Sequence, residues 1–445
     1  MKLALLWCPL LAAALFAGGC QRVQRLVGPD PIRIGVAMPS PGGGADGASL
    51  LYGAQYAAQE LNAAGGVLGR RVEIVSAAAP PGAAASTRSE SDRLSATVGR
   101  QQADALARYA PLAVIGHDVP AAAGAASELY AARNILFLAT YETDQTSDGT
   151  ADGLVFNLQV PTVAVYDAMG QMARQEGFCR LLLFRERTEL GRQHSLVFKQ
   201  YAQDMGLTVV AESTFERGTP SFLPILVKML SRPDVDMNAV DAAVFIGLSD
   251  AAAKFLADGS ELGRAVPVLL PWFSTTLASL RNLAPPALRR VRAQALFGLQ
   301  QPSPVAAAMS RQFTEQYKRP MLRDALLAYD AVRVLALAAG HVRSADARAV
   351  AGGLRALRFS PAPYLGMTGP VSFNERGQRL ESVINTVQPR IADQAVADIQ
   401  QSRRAVGAQD TASMVRVIHT YRDTGNPGET LETMRRVQTS ACIPR

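Results

Sequence analysis

Histidine, cysteine and clustered glycine are the residues through which a chain most often does chemistry, and this 445-residue chain carries four histidines and four cysteines. His117, His194, His341 and His419 fall in four separate segments, with no HExxH pair on a helical face and no paired Cys/His spacing that would hold a metal. No GxSxG elbow presents a serine nucleophile, and no GxxxxGKS/T loop cradles a phosphate. The chain is therefore expected not to be an enzyme and to use neither metal nor cofactor. One pattern imitates a nucleotide site. Gly42-Gly43-Gly44-Ala45-Asp46-Gly47 is formally GxGxxG between a strand and a helix. A dinucleotide fold also needs an acidic residue at the end of the second strand to hold the ribose hydroxyls, and here Ile74-Val75 run into Ser76-Ala77-Ala78-Ala79. The glycines read as a flexible rim loop, and His117, in a Gly-His pair, as a residue that packs a turn.

Charge and targeting narrow the partners. The formal net charge is +7, but the basic residues are scattered among acids, whereas a nucleic-acid groove needs a clustered stripe. Behind Lys2 the apolar run 3–16 is too short to span a bilayer and reads as a signal peptide. Ala17-Gly18-Gly19-Cys20 places small residues before a cysteine, as in a lipoprotein processing site, so Cys20 is the expected lipidation point; an ordinary cleaved signal is the alternative. Acyl chains there would anchor the protein, at roughly 0.8 kcal/mol per buried methylene. The expected location is periplasmic or cell-surface, membrane-anchored, and the outer membrane if the source is Gram-negative. After processing, Cys20, Cys179 and Cys442 remain. Cys179 and Cys442 are candidates for a disulfide in such a compartment; the alternative is that Cys179, heading CRLLLF, is buried as a small hydrophobe.

Any site must be positioned by the elements around it, and these alternate between strand and helix. Within 32–75, IRIGVAM has the β-branched pattern of a strand buried on both faces of a parallel sheet. Leu51, Ala54, Ala58 and Leu61 then recur at helical spacing, Gly65-Gly66 stop that helix, and RRVEIV supplies the next strand. The unit is βαβ, with a right-handed crossover. Further strands are read at PLAVIG, ILFLAT, CRLLLF, TVVAESTF, AAVFIG and VPVLLPWF, with helices between them. The predicted fold class is α/β, with two doubly wound parallel-sheet lobes.

The wording GAQYAAQELNAAGGVLGRRVEIV, followed in order by PLAVIGH, NILFLAT, VDAAVFIG, LLAYDAVRVLALAAG and MTGPVSFNERGQ, resembles the type I periplasmic solute-binding proteins of the branched-chain amino-acid and amide-binding group. The resemblance covers roughly 32–389. It implies two lobes joined by a three-strand hinge, with crossings near 157–161, 298–302 and 366–370. The division it suggests is a signal peptide over 1–19 and a tether over 20–31. Lobe 1 takes 32–157 plus 302–365, lobe 2 takes 158–301 plus 366–393, and 394–445 forms a C-terminal appendage of unknown role. It also implies the solute-binding component of an ABC importer, whose partners are a small polar solute and ABC permease subunits. The alternative is an outer-membrane lipoprotein of the same fold that acts by protein contacts, for example on a cell-wall synthase.

In open parallel sheets ligands bind outside the carboxyl ends of the strands, which here are 39–46, 117–122, 141–143, 189–191, 248–250 and 272–274. The family's amino-acid clamp uses a hydroxyl residue after the third strand and a small-small-Thr triplet after the fourth. Here the first falls on Pro120 and the triplet reads Tyr141-Glu142-Thr143, while the aromatic positions of the second lobe fall on Leu190 and Leu248. Only Thr143 matches. The expected lining of the cleft is Tyr141, Glu142, Thr143, Ser249, Asp250, Trp272 and Phe273, with the alternative that Trp272 and Phe273 belong to the core. An amide-like or neutral solute fits such a lining better than a branched-chain amino acid.

Overall fold

The structure is a computed structural model that describes residues 29–38, 47–79, 88–117, 120–140, 153–262, 266–274, 283–296, 304–360, 364–387 and 416–420. IRIGVAM forms strand β1 (Ile32–Met38), whose Ile32, Ile34 and Val36 are buried. Its run of branched side chains suits a position between two neighbours, and β1 pairs in parallel with both β2 (Val72–Ala78) and β3 (Ala113–Gly116). Helix α1 (Gly47–Ala63) follows β1 and ends at Gly65 and Gly66, which adopt φ of 99° and 81°. Left-handed angles of this kind are open to glycine without steric cost. The buried stripe of α1 is wider than its sequence periodicity indicates: Leu50, Tyr56 and Ala57 are buried with Ala54 and Ala58, whereas Leu51 and Leu61 are only partly so. A second surface, a helix from late in the chain, covers the flank that the pattern would leave wet.

The first lobe continues through α2 (Arg88–Ala107), α3 (Pro120–Ala132), β4 (Leu136–Ala139) and β5 (Val155–Asn157). Its five strands are all parallel, in the order β2-β1-β3-β4-β5. The order reverses between β1 and β3, and such a reversal leaves a crevice at the carboxyl ends of the strands.

The second lobe comprises α4 (Thr162–Gln175), β6 (Arg180–Glu186), α5 (Glu189–Asp204), β7 (Thr208–Phe215), α6 (Leu223–Leu230), β8 (Ala242–Ile246), α7 (Ser249–Glu261), β9 (Val268–Leu270), α8 (Pro285–Arg289) and β10 (Val291–Leu296). Strands β6 to β10 are parallel, in the order β10-β9-β8-β6-β7. Two antiparallel strands extend this sheet. β13 (Glu381–Val387) pairs with β10, and β14 (Arg416–Thr420) pairs with β13. Thus a strand from the stretch beyond 394 joins the second sheet, while the helix and turn expected at 395–406 and 422–429 lie outside the described residues.

Between them the chain returns to the first lobe as α9 (Pro304–Tyr317), α10 (Arg323–Val342) and α11 (Ala347–Ala356). Helix α10 lies along α1. A Cβ at Gly53 would come 2.6 Å from Ala325 Cα, so the two backbones touch where no side chain intervenes. Tyr52 and Tyr317 stack at 4.5 Å, and Tyr329 donates to Glu60 Oε2 at 2.6 Å. By length and composition α10 is apolar enough to cross a membrane, but its buried residues form the centre of the core.

The chain then makes a hairpin of β11 (Leu365–Gly366) and β12 (Gly369–Pro370). Two buried charges hold this segment. Asp330 of α10 accepts from Met367 N, Thr368 N, Thr368 Oγ1 and Tyr364 Oη at 2.6 to 3.2 Å. Arg379, 1% exposed, donates to Leu158 O, Thr368 O, Thr368 Oγ1 and Pro370 O. Burial pushes the Asp330 carboxyl above its ordinary pKa, while the Thr368 and Met367 donors and the Arg379 charge pull it back. Arg379 ties residues near the expected first crossing to those near the third. The expected crossing at 298–302 lies outside the described residues.

Cys179, half-buried before β6, is disulfide-bonded. Cys442 lies outside the described residues, as do the signal segment and Cys20.

Candidate functional site

The carboxyl ends of the strands carry the candidate residues, and local sequence explains how each is presented. Pro271, which has no N–H to offer a ladder, ends β9, and Trp272–Ser274 turn into a single 3-10 turn. Strand β9 is thereby shorter than VPVLLPWF predicts, and it sets Trp272 and Phe273 outside the sheet. Ser274, fully buried, donates through Oγ to Gly247 O at 2.5 Å and fastens this turn to the end of the neighbouring β8. Helix α7 starts there, with Ser249 partly buried and Asp250 exposed in its first turn, where a carboxylate faces the positive end of the helix dipole. Four of the seven expected lining residues, Ser249, Asp250, Trp272 and Phe273, therefore sit on two adjacent strand ends of the second lobe. Tyr141, Glu142 and Thr143 lie outside the described residues. Thr140, just before them, closes β4 and is buried.

Trp272 and Phe273 are both half-buried, and each packs against the large core cluster that contains residues of both lobes. Their rings meet edge to face at 5.6 Å. Phe273 in turn meets His194 of α5 edge to face at 4.9 Å, and His194 Nδ1 is 2.9 Å from Tyr166 Oη. Burial pushes His194 down to about 4, so its imidazole is neutral at pH 7 and serves as a polar packing group. Leu190 and Leu248 stand at the starts of α5 and α7; Leu248 is 43% exposed.

Arg323 was not among the residues expected in this cleft. It opens α10 in the first lobe, beside Asp324, to which it donates at 2.5 Å through Nη1. Its Nη2 donates to Thr140 O at 3.0 Å, at the carboxyl end of β4. Its guanidinium carbon lies 4.6 Å from the Trp272 ring centroid, over a residue of the second lobe. The signal available in sequence was slight: an Arg-Asp pair just before a long apolar helix reads as an ordinary solvated helix start.

The first lobe holds a second histidine at a strand end. His117 follows β3, is 1% exposed, and sets Nε2 3.1 Å from Tyr130 Oη. Tyr130 and Phe137 surround its ring at 5.9 and 5.7 Å, and burial pushes it down to about 3. It packs a turn, in keeping with the sequence reading. The glycine run 42–46 lies outside the described residues. Strand β2 ends in Val75, Ser76, Ala77 and Ala78, with no acid to hold a ribose. Among the described residues no three His, Cys, Asp or Glu side chains gather as a metal cluster.

The sequence model of a family described as "Periplasmic binding protein" matches residues 31–395. Among curated proteins none matches the chain. Solved structures do. The branched-chain amino-acid transporter substrate-binding protein LivJ from Streptococcus pneumoniae, in complex with isoleucine, is 19% identical, with 80% of this chain and 96% of that one covered and a TM-score of 0.63. The leucine-binding protein LivK from Thermotoga maritima is 19% identical, covering 89% and 99%, with a TM-score of 0.65. A solute-binding protein from R. palustris, in complex with benzoate, is 16% identical, covering 81% and 94%, with a TM-score of 0.63. At such identities the likeness concerns the fold.

Proposed function

The chain belongs to the periplasmic binding protein family, and on that premise we propose that it is a lipid-anchored, extracytoplasmic solute-binding component of an ABC importer. The family is one of binding proteins, and the chain is not an enzyme. It takes a small polar solute, amino-acid-derived or amide-like, between two lobes that close about a hinge. The observation that carries this reading is the meeting of the two sheets' carboxyl ends around Trp272 and Arg323, where a solute would touch both lobes at once. Tyr141, Glu142, Thr143, Ser249, Asp250, Trp272 and Phe273 are the proposed lining. The comparison structures that hold isoleucine and benzoate support a small organic solute, and the loss of the amino-acid clamp at Pro120 and at Tyr141-Glu142 argues for an amide-like or neutral one. On the same reading Cys20 carries the lipid and Cys442 is the disulfide partner of Cys179, since signal removal takes Cys8.

A thermal-shift screen of amino acids, amides, urea derivatives and aromatic acids tests the function. A solute at about 100 times its dissociation constant stabilises the fold by roughly 2.7 kcal/mol. A clear rise in Tm with one class supports the importer component. No shift at millimolar solute across all classes overturns it in favour of a lipoprotein that acts through protein contacts.

A further inference from the structure

Among the described residues, three contacts of Arg323 divide unequally between the lobes. Two are on its own side: Asp324 accepts from Nη1 at 2.5 Å, and Thr140 O accepts from Nη2 at 3.0 Å. These fix the plane of the guanidinium before the second lobe arrives, with the side chain only 19% exposed. The third contact crosses the cleft, where the guanidinium carbon lies over the Trp272 ring at 4.6 Å. Trp272 is itself held in place. The turn that bears it is fastened through Ser274 Oγ to Gly247 O, and Phe273 abuts its ring edge to face. A cation over an indole face is attracted by the ring quadrupole, and the attraction grows where water is partly excluded. Because both partners are held within their own lobes, their meeting orders little that is not already ordered.

We infer that Arg323 and Trp272 form a built-in latch between the lobes, through which the protein's own side chains bias the cleft toward closure without solute. The guanidinium does for the empty receptor what a bridging solute does for the filled one. Opening the hinge parts the cation from the ring but leaves its contacts to Asp324 and Thr140 O intact, so the latch re-forms without a search. A solute thus enters a cleft whose two walls already attract each other, and its apparent affinity includes that attraction. The latch rests on the two-lobed binder reading, yet it concerns the unliganded chain.

Small-angle scattering of the unliganded full chain tests it, with Arg323→Gln, Trp272→Leu, the double variant and Trp272→Phe compared with wild type. Circular dichroism and a retained cooperative melt establish that each variant folds. Loss of the contact lowers the closed-to-open ratio by about two- to thirty-fold, read as a larger radius of gyration in Arg323→Gln and Trp272→Leu. The double variant opens no further than either single one, and Trp272→Phe, which keeps a ring face, stays near wild type. Scattering curves of folded Arg323→Gln and Trp272→Leu that superimpose on wild type overturn the latch, as does additive opening in the double variant. No solute is present, so even a chain that fails every solute screen would still show whether the latch holds the lobes together.

Discussion

A side chain's meaning here depends on where its partners come from. Trp272 and Phe273 are half-buried aromatic residues that pack on the core and stand at a strand end, where the proposed cleft lining would place them. Binding assays separate the roles. Trp272→Ala and Glu142→Gln should each weaken binding of the solute found by screening, by about tenfold or more, and unchanged affinity in both variants removes the site assignment. The buried histidines give a second expectation. His117 and His194 are depressed by burial to about 3 and about 4, so the fold keeps them neutral while the unfolded chain takes up their protons below about 6.5. Their contribution is complete above that pH and is lost as pH falls, at up to about 1.4 kcal/mol per pH unit for each. Asp167, raised by burial to about 6, works in the opposite direction between about 4 and 6 and offsets part of one histidine. Denaturant unfolding at pH 7 and pH 5 should show lower stability at pH 5, and His194→Gln should flatten that slope. A slope unchanged by the substitution would contradict the assignment.

At the scale of elements, local sequence was a good guide wherever one strand or helix could be judged alone. IRIGVAM and TVVAESTF form strands over the residues that the pattern names, because branched side chains in a parallel sheet need no distant information. VPVLLPWF stops early because Pro271 cannot donate to a ladder, and that shortening is what frees Trp272. The flank of α1 was not legible, since the helix that covers it begins some 270 residues later and approaches at Gly53. Nor was the Asp330 and Arg379 junction, whose partners come from 158, 364, 367, 368 and 370. Arg379→Ala would leave several buried carbonyls and the Asp330 carboxyl without their donor or countercharge. It should lower the unfolding free energy by about 3–5 kcal/mol in a denaturant titration, and a loss below about 1 kcal/mol would mean that solvent reaches the junction.

For the molecule as a whole, the proposed bridge from Cys179 to Cys442 can be measured directly. Cys179 is disulfide-bonded, and with Cys442 as its partner the bridge encloses a loop long enough to limit the unfolded chain by up to roughly 5 kcal/mol. Thiol titration of the mature protein under denaturant, without reductant, should then find neither cysteine free, and two free thiols would remove the pairing. With β14 on the edge of its sheet, the second lobe takes up part of the chain beyond the family's usual end. The sequence by itself determined the two-lobed α/β architecture, because hydrophobic periodicity and glycine stops are local and repeat along the chain. Only the tertiary structure decided what spans the cleft. Arg323, Thr140 and Trp272 stand far apart in the chain, and a contact between a cation, a carbonyl and a ring has no period to read; it exists only once folding has brought the two sheets face to face.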